Sequence, residues 1–192
     1  MTIRAFVAAN LSVSVTRRIA DEVERRRKVL SEAQIAWVPP ANYHLTLQFL
    51  GAIPAESVEG VASALRKMER SPVDLRVVGL GGFPAAEPAP AIWHPTVLWV
   101  GVDGGEALKR LQHNVESALS GIGFVRPESE KARPFHPHVT VARVKAESAV
   151  DFGTTWSGAT ELGLSTINEI VVYESKTLRA GAEYTARARV KI

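Results

Sequence analysis

The chain has 192 residues, 46% of them hydrophobic and 22% charged, with a formal net charge of +3. That length allows one sizeable core, and the composition is that of a globular chain rather than a disordered or fibrous one. The absence of cysteine excludes disulfides, thiol catalysis and cysteine-bound zinc, and the mild positive balance suits a polyanionic ligand without requiring one.

No run approaches the ~18 uninterrupted apolar residues of a membrane-crossing helix. The start, Met1 to Asn10, reads directly as a strand and lacks the charged and then apolar pattern of a secretory leader, so a cytoplasmic location is expected. Ile3 to Ala9 is that strand. Ser12 or Ser14 offers a helix N-cap, and Val15, Ile19, Val23 and Leu30 recur at helical spacing. The run Arg25-Arg26-Arg27-Lys28 follows Glu22 and Glu24 and reads as a solvated face. Ile35 to Val38 is a short strand stopped by Pro39-Pro40, and a longer strand runs on to Gly51. Pro54 is expected in the first turn of a second helix whose stripe is Val58, Val61, Ala62, Leu65 and Met68.

A strand follows over about Val73 to Leu80. Phe83 to Pro95, rich in proline and alanine, is expected to be a loop joining two halves of the chain. Thr96 to Val102 is a strand, and Gly104-Gly105 breaks it. A helix over about Glu106 to Leu119 turns Leu108, Leu111, Val115 and Leu119 inward. After a polar connection, Pro134 leads into another strand. Glu147 to Leu164 has no regular period, and Ile167 to Ser175 and Tyr184 to Ile192 close the chain as strands. This order predicts an α+β fold: one domain over 1–192, built as two pseudo-symmetric lobes with antiparallel sheets around a central cleft and helices outside. No GxGxxG or GxxxxGK stretch supports a nucleotide-loop fold.

Chemistry concentrates in two strands. In Tyr43-His44-Leu45-Thr46-Leu47-Gln48-Phe49, strict alternation puts His44, Thr46 and Gln48 on one side and Leu45, Leu47 and Phe49 on the core side. In His138-Val139-Thr140-Val141 the pattern returns, 94 positions after His44. A single His-x-Thr is a common tripeptide, and its histidine is ordinarily structural. Two at strand parity, one in each half, point to a shared site. Histidine titrates near neutrality, so one imidazole can take a proton from a nucleophile while the other gives one to the leaving oxygen. Each transfer is typically worth about 10²–10⁴ in rate. Thr46 and Thr140 are placed to donate hydrogen bonds to non-bridging phosphate oxygens. Neither histidine has a carboxylate in its strand, whereas a two-histidine metal site usually draws a third ligand from Asp, Glu or His. A phosphoryl centre with neither metal nor cofactor is therefore expected.

With their flanks, Tyr43 to Gly51 and Arg133-Pro134-Phe135-His136-Pro137-His138-Val139-Thr140-Val141-Ala142-Arg143 resemble the two signatures of the two-histidine phosphoesterase superfamily. More narrowly they resemble the bacterial and archaeal RNA 2′,3′-cyclic phosphodiesterases, also called 2′-5′ RNA ligases of the LigT type. Arg4-Ala5-Phe6-Val7-Ala8, Trp37-Val38-Pro39, Gly82-Phe83-Pro84, Val97-Leu98-Trp99-Val100-Gly101 and Val172-Tyr173-Glu174-Ser175 extend the resemblance over nearly the whole chain. It implies both histidines in a central cleft and metal-free opening of a 2′,3′-cyclic phosphate to a 2′-phosphomonoester, with His44 as acid and His138 as base. The expected partners are RNA ends or nucleotides carrying that group, with no membrane, for a monomeric protein. Joining of RNA halves through a 2′-5′ bond at the same site, and a non-catalytic nucleotide- or RNA-binding module, are the alternatives.

The resemblance also marks Arg143 as a substrate contact. Parity, however, puts it on the Val139/Val141 side, so either the strand bends or Arg143 is a structural pairing residue. Many relatives carry a basic residue just before the Val-Leu-Trp strand, where this chain has Ala89 to Thr96. There Trp93 either stacks a base or is pinned under the loop, and His94 either touches phosphate or is simply exposed. Phe135 either shelves a base or packs, and His136 shares the parity of His138 and adds charge at the cleft rim. His113 reads as surface. Arg187, Arg189 and Lys191 form a basic stripe that either holds RNA or protects an edge strand.

Overall fold

The computed structural model describes residues 1–30, 34–84, 93, 95–126, 134–145, 152–178 and 181–192. Its strands are β1 (Thr2–Ala9), β2 (Ile35–Trp37), β3 (Leu45–Pro54), β4 (Val73–Phe83), β5 (Val97–Asp103), β6 (His138–Val144), β7 (Gly158–Ile167), β8 (Glu169–Leu178) and β9 (Gly181–Lys191). Its helices are α1 (Val13–Val29), α2 (Ser57–Lys67), α3 (Gly105–Ser120) and the short α4 (Phe152–Thr155). The strands lie in the order β7-β4-β5-β6-β3-β1-β8-β9, with β2 added alongside β6, and every pairing is antiparallel. Between the two four-stranded halves the link is a single pair, Leu45 opposite Val139.

That junction corrects one expectation. The lobes are not the two halves of the sequence, and the join expected around 83–95 lies inside one lobe, between the paired strands β4 and β5. The chain instead crosses from β1 to β2 beside β6, returns for β3, crosses again after β3 and returns from β7 to β8. Each histidine strand is the inner strand of its own lobe.

Local chemistry explains the helices. The Ser12 hydroxyl caps α1 by accepting from the Val15 amide, while Arg26, Arg27 and Lys28 face the negative end of its dipole. Val15, Ile19 and Val23 of α1, Val61 and Leu65 of α2, and Leu108, Val115 and Leu119 of α3 share one core with Ile3, Ala5, Val7, Leu45, Leu47, Val139 and Val141. Helices thus cover one sheet face and leave the other for the cleft. Two smaller expectations change. Pro54 ends β3, and α2 begins at Ser57. The basic run on α1 is partly structural, because Arg25 and Arg26 both pair with the buried Glu22 and Arg26 also donates to the Thr155 carbonyl. Among the described residues, no helix is long and apolar enough to cross a membrane.

β7 begins within the stretch that has no regular period. The reason is a bulge at Leu162–Gly163 against Val77–Val78, which buries Leu162 and Ser165 but leaves Leu164 exposed.

Candidate active site

One step either side of the Leu45–Val139 pair, the antiparallel register sets His44 opposite Thr140 and Thr46 opposite His138. Two imidazoles far apart in sequence therefore meet across the lobe junction. The charge of one reaches the other: His138 is among the groups that disfavour an imidazolium at His44.

Each ring is held in the same way. His44 Nδ1 lies 2.7 Å from the Asn42 carbonyl oxygen, and His138 Nδ1 lies 2.7 Å from the His136 carbonyl oxygen. A carbonyl only accepts, so Nδ1 carries the proton and donates in both rings, leaving Nε2 for chemistry. Burial is the main cause that lowers both pKa values below the ordinary imidazole range; the carbonyl bonds oppose it, and a neighbouring imidazole adds to it.

The walls are aromatic. Phe6 stands 4.8 Å from His44 between ring centroids, and Tyr184 meets His44 edge-on at 5.2 Å. Tyr173 stacks on Phe6, and its hydroxyl donates to the Asn10 side-chain oxygen at 3.0 Å. In the other lobe Phe83 meets His138 edge-on at 5.1 Å, and the exposed His136 lies 4.7 Å from Trp99. Trp99 fits because Gly81 has no side chain: a Cβ there would collide with its six-membered ring.

Two bulges reset the parity read from sequence. Val7 faces Gln48 and Ala8 faces Thr46, so Leu47 is an extra residue in β3. Beyond it the faces exchange. Gln48 is 3% exposed and donates to the Phe124 carbonyl, whereas Phe49 is 60% exposed beside Phe6. The expected placement of Gln48 beside His44 and Phe49 in the core is thereby corrected. In β6, Leu98 faces Ala142 and Trp99 faces Thr140, so Val141 is the extra residue. Ala142 turns inward, and Arg143 returns to the His138 face, where its charge acts on the Tyr184 hydroxyl against the upward push of burial. Simple parity fails for Arg143 because the strand bends there.

The remaining candidates divide. His136 joins the cleft wall. Phe135 is partly buried and packs against the core. Trp93 is 8% exposed and its indole N–H donates to the Pro84 carbonyl at 2.9 Å, so it packs beneath the lobe rather than offering a face to a base. His94 lies outside the described residues. His113 is on the surface. On the edge strand β9, Arg187 pairs with Glu174 and Arg189 with Glu169, charges already engaged within the hairpin. Among the described residues, no three of His, Cys, Asp or Glu converge to hold a metal ion. Sequence reasoning by periodicity missed Phe6, Phe49, Tyr173 and Tyr184 as cleft walls. Phe6 was legible in principle, since it has the opposite parity to the core residues Ala5 and Val7.

Residues 11–93 match the model of the LigT-like phosphoesterases. A curated Aeropyrum pernix protein named RNA 2′,3′-cyclic phosphodiesterase is 35% identical over 160 residues, covering 80% of this chain and 84% of that one. A Methanothermobacter thermautotrophicus protein of the same name is 30% identical over 96% of both chains. In fold, the chain is similar to Escherichia coli LigT complexed with 3′-AMP, with a TM-score of 0.74 at 22% identity over 100% of this chain and 99% of that one.

Proposed function

The chain belongs to the LigT-like phosphoesterase family, and from that membership and its cleft we propose that it hydrolyses the 2′,3′-cyclic phosphate of RNA ends or nucleotides to the 2′-phosphomonoester. The observation that carries this reading is the pair of imidazoles brought together by Leu45 and Val139, each with Nδ1 tied to a carbonyl and, among the described residues, no hydrogen bond at Nε2.

His138, the less deeply buried of the two, is the base. Its Nε2 takes a proton from water as the water oxygen bonds to phosphorus. The P–O3′ bond breaks, and the leaving oxygen takes a proton from His44 Nε2, which sits deeper among Phe6, Tyr173 and Tyr184. Water is consumed and protons balance; the imidazoles end with their protonation exchanged and reset through solvent. Thr46 and Thr140 donate to the non-bridging oxygens, and Arg143 offsets their charge. Both proton transfers come from the chain's own side chains, so a metal has no step to perform.

The test is incubation of the protein in EDTA with cytidine 2′,3′-cyclic phosphate, with the product separated against 2′- and 3′-monophosphate standards. Turnover to the 2′ isomer, lost in His44→Ala and His138→Ala, is the expected result. Binding without turnover would leave a nucleotide-binding module, and the 3′ isomer would refute the assigned leaving group.

A further inference from the structure

The two lobes treat their histidines alike but close over them differently. Asn42 and His136 hold the same position, two residues before each imidazole, and both anchor it through their carbonyls. In the first lobe the Asn42 side chain donates to the Ala182 carbonyl at 2.7 Å, and Tyr184 covers the ring, so the β8–β9 hairpin closes that side. In the second lobe the His136 side chain is exposed and lies on Trp99. Phe83 completes a cluster in which His136 is 5.3 Å and Trp99 5.6 Å from its ring. This open shelf adjoins His138, the place where the nucleophile is activated. Water needs no aromatic wall there, whereas a nucleoside entering in place of water does.

We propose that His136, Trp99 and Phe83 form a second nucleobase subsite, which receives the nucleoside on the nucleophile's side of the phosphorus, while the exposed Phe49 serves the nucleoside carrying the 2′- and 3′-oxygens. The proposal rests on the acid–base reading of the cleft and on the assignment of His138 as base. Stacking on π-faces tolerates any base, so the subsite selects for a nucleoside without selecting its sequence.

The probes are adenylyl-(2′→5′)-adenosine and its analogue lacking the base on the 5′-linked ribose, titrated calorimetrically into the full chain in EDTA. The wild type should bind the base-bearing compound about tenfold more tightly, the scale of one base stacked on an aromatic side chain. His136→Ala and Trp99→Leu should each bring that ratio within about twofold. Phe49→Ala should weaken both compounds and keep the ratio. Trp99→Leu opens a void beside Gly81, so His136→Ala carries the test if that variant folds poorly. A wild type that binds both compounds equally or neither, or a ratio that survives His136→Ala, overturns the subsite. Hydrolysis of the cyclic mononucleotide, measured separately, reports on the acid–base reading and distinguishes its failure from that of the subsite.

Discussion

Gly81→Ala and Gly60→Ala make the same chemical change with opposite expected signs. At Gly81 a new Cβ would lie within 3 Å of three atoms of the Trp99 six-membered ring, with Cζ3 at 2.9 Å. Carbon atoms prefer about 3.5–4.0 Å, so the indole must retreat by about 1 Å. Trp99 is hemmed in by Phe83 at 5.6 Å and His136 at 4.7 Å, and retreat pushes the ring into them. Overpacking of this kind costs about 1–3 kcal/mol. For a chain of this size that corresponds to roughly 2–12 °C in Tm. At Gly60, on the exposed side of α2, a Cβ meets nothing within 4 Å, and alanine should gain about 0.5–1 kcal/mol through helix propensity. Urea titrations give both numbers, with near-ultraviolet circular dichroism reporting the indole and kcat/KM reporting the cleft. If Gly81→Ala unfolds at the wild-type midpoint with unchanged kcat/KM, the indole does not lie against Gly81.

Other outcomes follow from the same geometry. His44→Ala and His138→Ala should each lower kcat by about 10²–10⁴, and the double variant should lose far less than the product, since the pair acts as one unit; independent effects in steady-state kinetics would argue against paired roles. Burial lowers both imidazole pKa values, so the bell in kcat/KM should have both limbs below the ordinary value of about 6.5. In kcat those limbs should move upward, because bound phosphate favours the imidazolium. The sign for stability follows from the same shifts. The unfolded chain takes up protons before the folded one, so urea midpoints should decline as pH drops through about 6.5, and a His44→Ala/His138→Ala chain should decline less. Arg143→Met should cut kcat/KM by roughly 10- to 100-fold, the scale of a charge-assisted hydrogen bond, and flatten its salt dependence; an unchanged salt response would remove Arg143 from the phosphate.

By itself the sequence determined the parts whose causes are local. Val15, Ile19 and Val23 specify a helix through their spacing, Ser12 caps it, and His44-Leu45-Thr46 and His138-Val139-Thr140 carry their alternation before any partner strand is known. The extra residues at Leu47 and Val141 have no such local mark. Their signal is the register that β1 and β5 impose from elsewhere in the chain: the one at Leu47 exchanges the two faces until a second shift at Leu50 restores them, and the one at Val141 turns Arg143 to the other face. Tertiary structure therefore decided that Gln48 is buried, that Phe49 and Arg143 face the cleft, and that the lobes cut across the halves of the sequence. It also decided what closes over each imidazole, because the Asn42–Ala182 bond and the Trp99 indole over Gly81 join residues that only the assembled sheet brings together.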